Sequence, residues 1–219
     1  MSTKRDDILT AAITVFLEEG LKGARMERIA DEASVSKRTL YKHFGDKNAL
    51  LEAIHALVLT RLSNIAVPAF DATLDLKAQL RVALLAYIKQ MATPDFVRHA
   101  QVLLGEFIRD PALAQKCYAE FRAIDAPLAN VLSDAMQAGL LRQDTPLEAC
   151  DVLLALFKTT IMDPLIYNMM PDAPTEQDFD QIATESVDAF LLLYGKTPDQ
   201  TLKPLRNSQT DRLKVSMAQ

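Results

Sequence analysis

The chain has 219 residues, of which 49% are hydrophobic and 24% charged, and its formal net charge at pH 7 is −5. A chain of this length and composition can bury the core of one large or two modest domains, so it is predicted to be globular. No run of eighteen uncharged apolar residues occurs and the amino-terminal segment lacks the apolar stretch of a secretory signal, so a cytoplasmic protein with no membrane contact is expected.

The chain opens with a helical pattern from about Thr3 to Glu19, which Gly20 is expected to end. Residues 26–44 then hold two shorter helical patterns around a three-residue break. In the second of these, the apolar Leu40 and Phe44 lie four residues apart and therefore share one face. Two short helices joined by a tight turn are typical of a helix-turn-helix, whose second helix enters the major groove of DNA.

The break is the segment Ser34-Val35-Ser36, which supplies a tight turn, an apolar plug and a side-chain oxygen able to cap the next helix. From Ser34 to Lys47 there are four Lys or Arg residues and one acidic residue. Lys and Arg can contact guanine or phosphate, Thr can meet a thymine methyl, and Ser and Tyr can bind phosphate oxygens. The pattern favours DNA binding over the alternative that these charges only solvate a short helix.

The segment from about Lys4 to Ala56 resembles the DNA-binding domain of the TetR family of bacterial transcriptional regulators. The strings that carry the resemblance are ILTAAITVFLEEG and VSKRTLYKHFGDKNALLEAI. It implies that the second short helix is a recognition helix and that the fourth helix begins beside the DNA backbone. The residues expected to bind DNA are Arg25, Ser36, Lys37, Arg38, Thr39, Tyr41, Lys42, His43 and Lys47. For His43, packing beside Phe44 without reading a base is an equal alternative.

Two positions depart from the family pattern. Ser34 stands where the turn usually carries Gly, which accepts a positive φ at no steric cost, so modest strain is expected there. Arg25 stands where the family more often has a Thr that caps the second helix and touches phosphate. Arg25 is expected to meet phosphate through its charge instead.

Charge is divided unevenly along the chain. Residues 1–60 contain nine basic and nine acidic residues, so the remainder carries the whole deficit. The acidic region is repelled by phosphate, so the protein is expected to approach DNA with its neutral DNA-reading region. Binding to DNA of unrelated sequence is expected to be weak.

The rest of the chain repeats helical patterns, and the predicted fold is all-α with about nine helices. A fourth helix is predicted from near Asp46 to about Ala66, before Pro68. Five more are predicted near 74–92, 94–108, 111–138, 146–170 and 175–194, with bends at Pro127 and Pro164. The predicted domains are a helix-turn-helix head at 1–50 with a linking helix to about 66, a body at 67–195 and a flexible tail at 196–219.

The body also resembles TetR-family carboxy-terminal domains, and in particular the AefR-like group, through FVRHAQVLLGEFIRDPALAQKCYAEF. Such domains pair as homodimers through their last two long helices and enclose a ligand cavity. The expected dimer residues are Val152, Leu153, Leu156, Phe157, Thr160, Ile182, Ser186, Val187, Phe190 and Tyr194, with ordinary intrachain packing as the alternative. The expected cavity residues are Met91, His99, Val102, Leu103, Glu106, Phe107, Met162, Asp163 and Tyr167, with core packing or solvent exposure as the alternative.

No cofactor or metal is expected, because Cys117 and Cys150 are isolated and His99 with Glu106 lacks a third ligand. Both thiols are interpreted as buried, and His55 as a core residue rather than a ligand. The function predicted is a ligand-responsive repressor that binds a near-palindromic operator as a dimer, with a small hydrophobic effector. The alternatives are a ligand-independent or architectural DNA-binding regulator and a helical small-molecule-binding enzyme, although no nucleophile motif or phosphate-binding loop supports catalysis.

Overall fold

The structure is a computed structural model that describes residues 3–170 and 172–196. In these ranges the chain is all-α, and its only β pairing is an isolated bridge between Leu141 and Gly195. The helices are α1 Lys4–Gly23, α2 Met26–Glu32, α3 Lys37–His43, α4 Lys47–Ser63, α5 Leu76–Met91, α6 Pro94–Phe107, α7 Pro111–Ile124, α8 Ala126–Gln137, α9 Pro146–Phe157, α10 Asp163–Ile166 and α11 Glu176–Tyr194. A π-helical turn, Lys158–Met162, joins α9 to α10. The predicted tail lies outside the described residues except for Lys196.

Polar residues at the helix starts explain most of the boundaries. Thr3 and Thr175 each form a reciprocal capping box with the carboxylate three residues on, which satisfies free N–H groups of the first turn. Asp110 accepts hydrogen bonds from two backbone N–H groups of α7, and Pro111 follows it where no helical donor is needed. Gly20, where the first helix was predicted to end, has φ 69° and interrupts α1, but α1 continues for three residues to Gly23.

The predicted helix at 111–138 is divided into α7 and α8, with Pro127 in the first turn of α8. The predicted helix at 146–170 is interrupted by the π-helical turn immediately before Pro164 and ends at Ile166. Proline removes a backbone donor and its ring crowds the preceding turn, so both breaks follow from its chemistry.

Helix α4 ends at Ser63, three residues before the predicted end near Ala66. The Ser63 hydroxyl donates a hydrogen bond to the carbonyl of Thr60 at 3.0 Å, and Asn64 follows as the C-cap. Short polar side chains compete with the helical backbone for its hydrogen bonds, which favours a stop at this point.

Helix α4 connects the two parts of the molecule. It packs against α1 in the head and against α5, α6 and α7 in the body. Helix α6 also packs directly on α1, where Arg98 donates a hydrogen bond to the Thr14 hydroxyl at 2.6 Å. Within the body, α11 lies between α5 and α9, and α8 covers α9. None of the helices in the described ranges combines the length and apolar composition that crossing a bilayer requires.

Replacing Ser34 by Gly is expected to stabilise the chain. Ser34 has φ 53°, in the left-handed region where the Cβ of a non-glycine residue destabilises the folded state by roughly 1–2 kcal/mol. Glycine avoids this cost, but it gives the unfolded chain more conformational freedom, which lowers stability by roughly 0.5–1 kcal/mol. The net gain should be about 0.5–1 kcal/mol in the free energy of unfolding, measured by urea denaturation. Asn168→Gly is the matched control because Asn168 has φ 54° but asparagine tolerates this region better, so its gain should be smaller. A Ser34→Gly protein less stable than the parent would contradict strain at the turn.

Candidate nucleic-acid interface and ligand cavity

The turn between α2 and α3 fixes how α3 projects from the head. Ser36 caps α3 by accepting a hydrogen bond from the Thr39 N–H at 3.0 Å, and the two hydroxyls lie 2.8 Å apart. Leu40 is fully buried beneath α3, and Ala30 on α2 is 1% exposed. A small residue at Ala30 lets the helices approach closely. One side of α3 is therefore anchored in the head while the other is presented to solvent.

All nine residues predicted to bind DNA are accessible in the described structure. Seven are exposed and two, Thr39 and Lys47, are half-buried; the exposed ones are Arg25, Ser36, Lys37, Arg38, Tyr41, Lys42 and His43. Tyr41 leaves 49% of its surface in solvent, so its ring and hydroxyl are both open to a partner. Together they form one basic face on α3 and its entrance, which we call the recognition surface.

Lys37 pairs with an acidic residue in the first turn of α2. Its ammonium nitrogen lies 3.3 Å from a carboxylate oxygen of Glu27, across the helix-turn-helix. A backbone N–H at the start of α2 and the Lys37 ammonium keep the pKa of Glu27 below its ordinary value. Glu27 therefore stays charged at neutral pH and competes with any phosphate for Lys37.

Lys47 has a structural role that the sequence did not indicate. Its ammonium group donates hydrogen bonds to the carbonyls of Lys22 at 2.8 Å and Ala24 at 3.2 Å. These contacts tie the end of α1 to the start of α4. A lysine ammonium has three donors, so one remains for a phosphate.

Arg25 and His43 lie at the edges of the recognition surface. Arg25 is the N-cap of α2, its side chain forms no capping bond within the described structure, and the residue is exposed. The His43 ring is exposed, with its centroid 6.4 Å from that of Phe44 at a tilted angle.

The body contains a partly open cavity of about 340 Å³, within the range of small-molecule sites. Its lining is mostly apolar and comes from α4, α5, α6, α7, α9, the π-helical turn and α10. The lining residues are Val58, Leu62, Tyr87, Met91, Phe96, Ala100, Leu103, Leu104, Phe107, Tyr118, Phe121, Arg122, Asp125, Asp151, Lys158, Met162, Asp163, Ile166 and Tyr167.

Six of the predicted cavity residues line this space: Met91, Leu103, Phe107, Met162, Asp163 and Tyr167. His99, Val102 and Glu106 do not. These three share a different stripe of α6, because α6 turns the residues at 96, 100, 103 and 107 toward the cavity. His99 instead lies beside the head, and its Nδ1 meets the carbonyl of Asp95 one turn earlier on α6. Glu106 pairs with Arg109 at 3.1 Å.

One end of the cavity is polar, and the sequence reasoning did not assign it. Arg122 and Asp151 form a close ion pair there, near Asp125 and Lys158. Burial raises the pKa of Asp125, and it also raises that of the Tyr87 hydroxyl, which faces the Asp125 carboxyl group. The sequence feature that could have indicated this polar end is the presence of charged residues in otherwise apolar helices, close to the break between α7 and α8 at 125–127. A ligand with one hydrogen-bonding group would find partners at this end.

A second cavity of about 220 Å³ lies between the head and the body, among α1, α4 and α6. Its polar lining comes from Asp6 and Thr10 of α1, Arg61 of α4, and Asp95, Arg98 and His99 of α6. Burial lowers the pKa of His99, and the nearby Arg61 and Arg98 add to this effect against the opposing influence of the Asp95 carbonyl and carboxylate. His99 therefore belongs to the seam between the two parts of the molecule.

The predicted dimer residues fall into two groups. Six are buried within the single chain: Leu153, Phe157, Ser186, Val187, Phe190 and Tyr194. Four are at least partly accessible: Val152, Leu156, Thr160 and Ile182. On the same outer sides of α9 and α11, Ala155 is exposed, Leu192 is 82% exposed and Leu193 52% exposed. We call this set of Val152, Ala155, Leu156, Ile182, Leu192 and Leu193 the outer stripe.

The chain matches known protein families over most of the described residues. Residues 8–54 match the family described as bacterial regulatory proteins, tetR family. Residues 78–196 match the family described as AefR-like transcriptional repressor, C-terminal domain. The second match alone covers more than half of the chain.

Two characterised relatives are similar over most of their length. The HTH-type transcriptional activator FasR of Mycolicibacterium smegmatis is 28% identical over 182 residues, 80% of this chain and 76% of FasR. The HTH-type nicotine-responsive transcriptional repressor HdnoR of Paenarthrobacter nicotinovorans is 26% identical over 194 residues, 86% of this chain and 94% of HdnoR. Among solved structures, a TetR family transcriptional regulator from Pseudomonas syringae pv. tomato superposes with a TM-score of 0.74 at 28% identity, covering 90% of this chain and 99% of that one.

Proposed function

Because the chain belongs to the TetR family of bacterial regulatory proteins and is a DNA-binding transcriptional regulator, we propose that it acts in the cytoplasm as a dimeric, ligand-responsive repressor. In this proposal the recognition surface binds operator DNA, and the body cavity binds a small effector that weakens this binding. Relatives of both kinds are known, since FasR is named as an activator and HdnoR as a repressor. Repression is proposed because the carboxy-terminal match is to AefR-like repressors.

The observation that carries the coupling is the position of α4. Its first residue, Lys47, holds the head together through the end of α1, and its later residues Val58 and Leu62 line the cavity. The helix has 17 residues, so at roughly 1.5 Å per residue it spans about 25 Å as one stiff element. A ligand that displaces Val58 and Leu62 therefore moves the helix on which the head is mounted.

The outer stripe supports a two-fold dimer. Leu192 and Leu193 are large apolar residues held in solvent on the last helix, and Val152 and Leu156 lie on the outer side of α9. Two such helices from each chain make a four-helix interface. A two-fold dimer can place its recognition helices about 34–36 Å apart, in successive major grooves, and so requires a near-palindromic operator. The proposed domains are the head at 1–50, the linking α4 and the body at 67–195.

The cavity lining predicts the chemistry of the effector. Most lining residues are apolar or aromatic, so a largely hydrophobic molecule fits. The polar end, with Arg122, Asp125, Lys158 and the Tyr87 hydroxyl, would bind one hydrogen-bonding group of that molecule. A cavity of about 340 Å³ also favours this proposal over a ligand-independent regulator, whose body needs no such space.

The proposal is tested by selecting bound duplexes from random DNA and then titrating the selected operator with candidate effectors. Any compound that raises the unfolding temperature should also lower the affinity of the protein for the operator, by about 5- to 150-fold. Bound operator should lower the affinity for the compound by the same factor. Nicotine is the first compound to try, because the relative HdnoR is nicotine-responsive, alongside other largely hydrophobic molecules that carry one hydrogen-bonding group. Selection of no duplex would contradict DNA binding, and a tight operator complex that every stabilising compound leaves unchanged would contradict the effector.

A cavity-filling variant makes this test specific. Ala100 lines the cavity from α6, so Ala100→Trp should fill the space, retain operator binding and abolish the response to the compound. Ala119→Trp is the matched control, because Ala119 is exposed on α7 and does not line the cavity. A control that lost the response as well would indicate a general effect of the bulky residue.

A further inference from the structure

Three side chains that bind transition metals meet where α4 packs on α7. His55 lies on α4, and Cys117 and Glu120 lie one turn apart on α7, with their ligand atoms all within 4.8 Å of one another. Nδ1 of His55 is 3.8 Å from the Cys117 sulfur, and Nε2 is 3.3 Å from a carboxylate oxygen of Glu120. None of the three lines the effector cavity or belongs to the recognition surface.

Two polar atoms at this junction are buried and lack hydrogen bonds. His55 is 7% exposed and Cys117 is fully buried. Within the part of the chain that the structure describes, neither Nε2 of His55 nor the facing Oε2 of Glu120 forms a hydrogen bond, despite their short separation. Unpartnered polar atoms in a protein interior are costly, which points to an occupant that satisfies them.

We propose that His55, Cys117 and Glu120 bind one zinc-class transition-metal ion, with a fourth position left for water. Imidazole, thiolate and carboxylate are all ligands that Zn²⁺ accepts in tetrahedral sites. On binding, the Cys117 thiol loses its proton to solvent, so a divalent ion with one thiolate and one carboxylate forms a neutral centre. Such a centre is better suited to a buried position than an isolated charge.

The geometry requires only side-chain adjustment. Zinc–ligand bonds of roughly 2.0–2.3 Å place tetrahedral ligand atoms about 3.3–3.8 Å apart, so separations of up to 4.8 Å must shorten by about 1 Å. The Glu120 side chain is 37% exposed and can make this movement. The residues at 55 and 117 are distant in sequence, which is why no metal-binding spacing is visible there.

A metal ion at this site would link α4, which connects the head to the body, to α7, which lines the effector cavity. His55 comes from α4, and the adjacent Phe121 on α7 stands edge-on to the imidazole at 5.9 Å while lining the effector cavity. An ion that binds only the folded chain, present at a hundred times its dissociation constant, raises the ratio of folded to unfolded protein about a hundredfold. Bound metal should therefore stabilise the α4–α7 contact directly.

The experiment uses the full chain, freed of any histidine tag, with Co²⁺ as the spectroscopic probe. One Co²⁺ should bind per chain and produce a sulfur-to-cobalt absorption band in the near ultraviolet, and Zn²⁺ should displace it. Cys117→Ser should abolish this band and weaken Co²⁺ binding by at least about tenfold. Cys150→Ser is the matched control, because Cys150 is the other buried free thiol and lies near Asp125 instead. It should keep the band.

Failure of the proposal is easily recognised. Absence of the band in the folded parent chain, or its loss only in Cys150→Ser, would overturn the site. If Cys117→Ser does not fold, Glu120→Gln keeps the thiol and should still weaken Co²⁺ by about tenfold, so unchanged affinity there would also overturn it. None of these measurements involves an operator or an effector, so they stand apart from the proposed regulatory function.

Discussion

Replacing Leu192 by Glu is expected to dissociate the dimer and to reduce operator affinity by at least about a hundredfold. Leu192 is 82% exposed in the single chain, yet it lies in the outer stripe that the proposed interface covers. A two-fold axis would bury two unpaired carboxylates in the interface, which is strongly unfavourable. A monomer also loses the second half-site contact, whose tethering raises apparent affinity about 10²- to 10⁴-fold. Sedimentation and fluorescence anisotropy on the selected operator measure the two effects.

Ile108→Glu is the matched control for this substitution. Ile108 is 86% exposed at the end of α6, away from α9 and α11. The substitution therefore introduces the same charge at an equally accessible apolar position. It should leave both the mass and the operator affinity unchanged. A Leu192→Glu protein that remained dimeric and bound operator normally would rule out the outer stripe as the interface.

Local chemistry explains why much of the fold could be predicted from the sequence. Proline after Asp110, the Thr175 capping box and the glycine at position 20 all act within one helical turn, and each stands where the pattern placed it. The early end of α4 was missed because Ser63 and Asn64 compete with the helix more weakly than a proline does, so their effect depends on context.

The recognition surface was predictable for a related reason. Its residues lie within one short string, and a single capped helix decides which of them project into solvent. Lys47 is the exception, because its carbonyl partners at residues 22 and 24 come from another helix. Nothing in the order of residues around position 47 specifies that contact.

Tertiary packing decided the rest of the site. His99 carries a polar group at a plausible spacing, but the rotation of α6 about its axis turns it toward the head rather than the cavity. Phe157 and Phe190 lie on apolar helix faces that could pack either in a dimer interface or in the core of one chain. Both are buried in the core of the single chain. A helical stripe shows that a face is buried without showing what buries it.

Replacing Lys37 or Tyr41 by Ala is expected to weaken operator binding, by about 1–3 kcal/mol for each lost contact. A two-fold dimer presents each residue twice, so the loss is about 2–6 kcal/mol, a factor of roughly 30 to 20,000. The two variants should differ in salt dependence. Lys37 carries a charge, so its removal should flatten the slope of log affinity against log salt by about one unit per contact, whereas loss of the neutral Tyr41 should leave the slope unchanged. Anisotropy titrations at several salt concentrations measure both.

Glu27 and Lys89 provide controls of opposite kinds. Glu27→Gln should tighten operator binding several-fold, because Lys37 is then released from its 3.3 Å ion pair and a negative charge leaves the DNA-facing side. Lys89→Ala should have no effect, since Lys89 lies on α5 and pairs with Glu176 in the body. If Lys37→Ala and Tyr41→Ala both bound operator as tightly as the parent, α3 would not be the element that reads DNA. If Glu27→Gln weakened binding, Glu27 would be orienting Lys37 for the phosphate rather than competing for it.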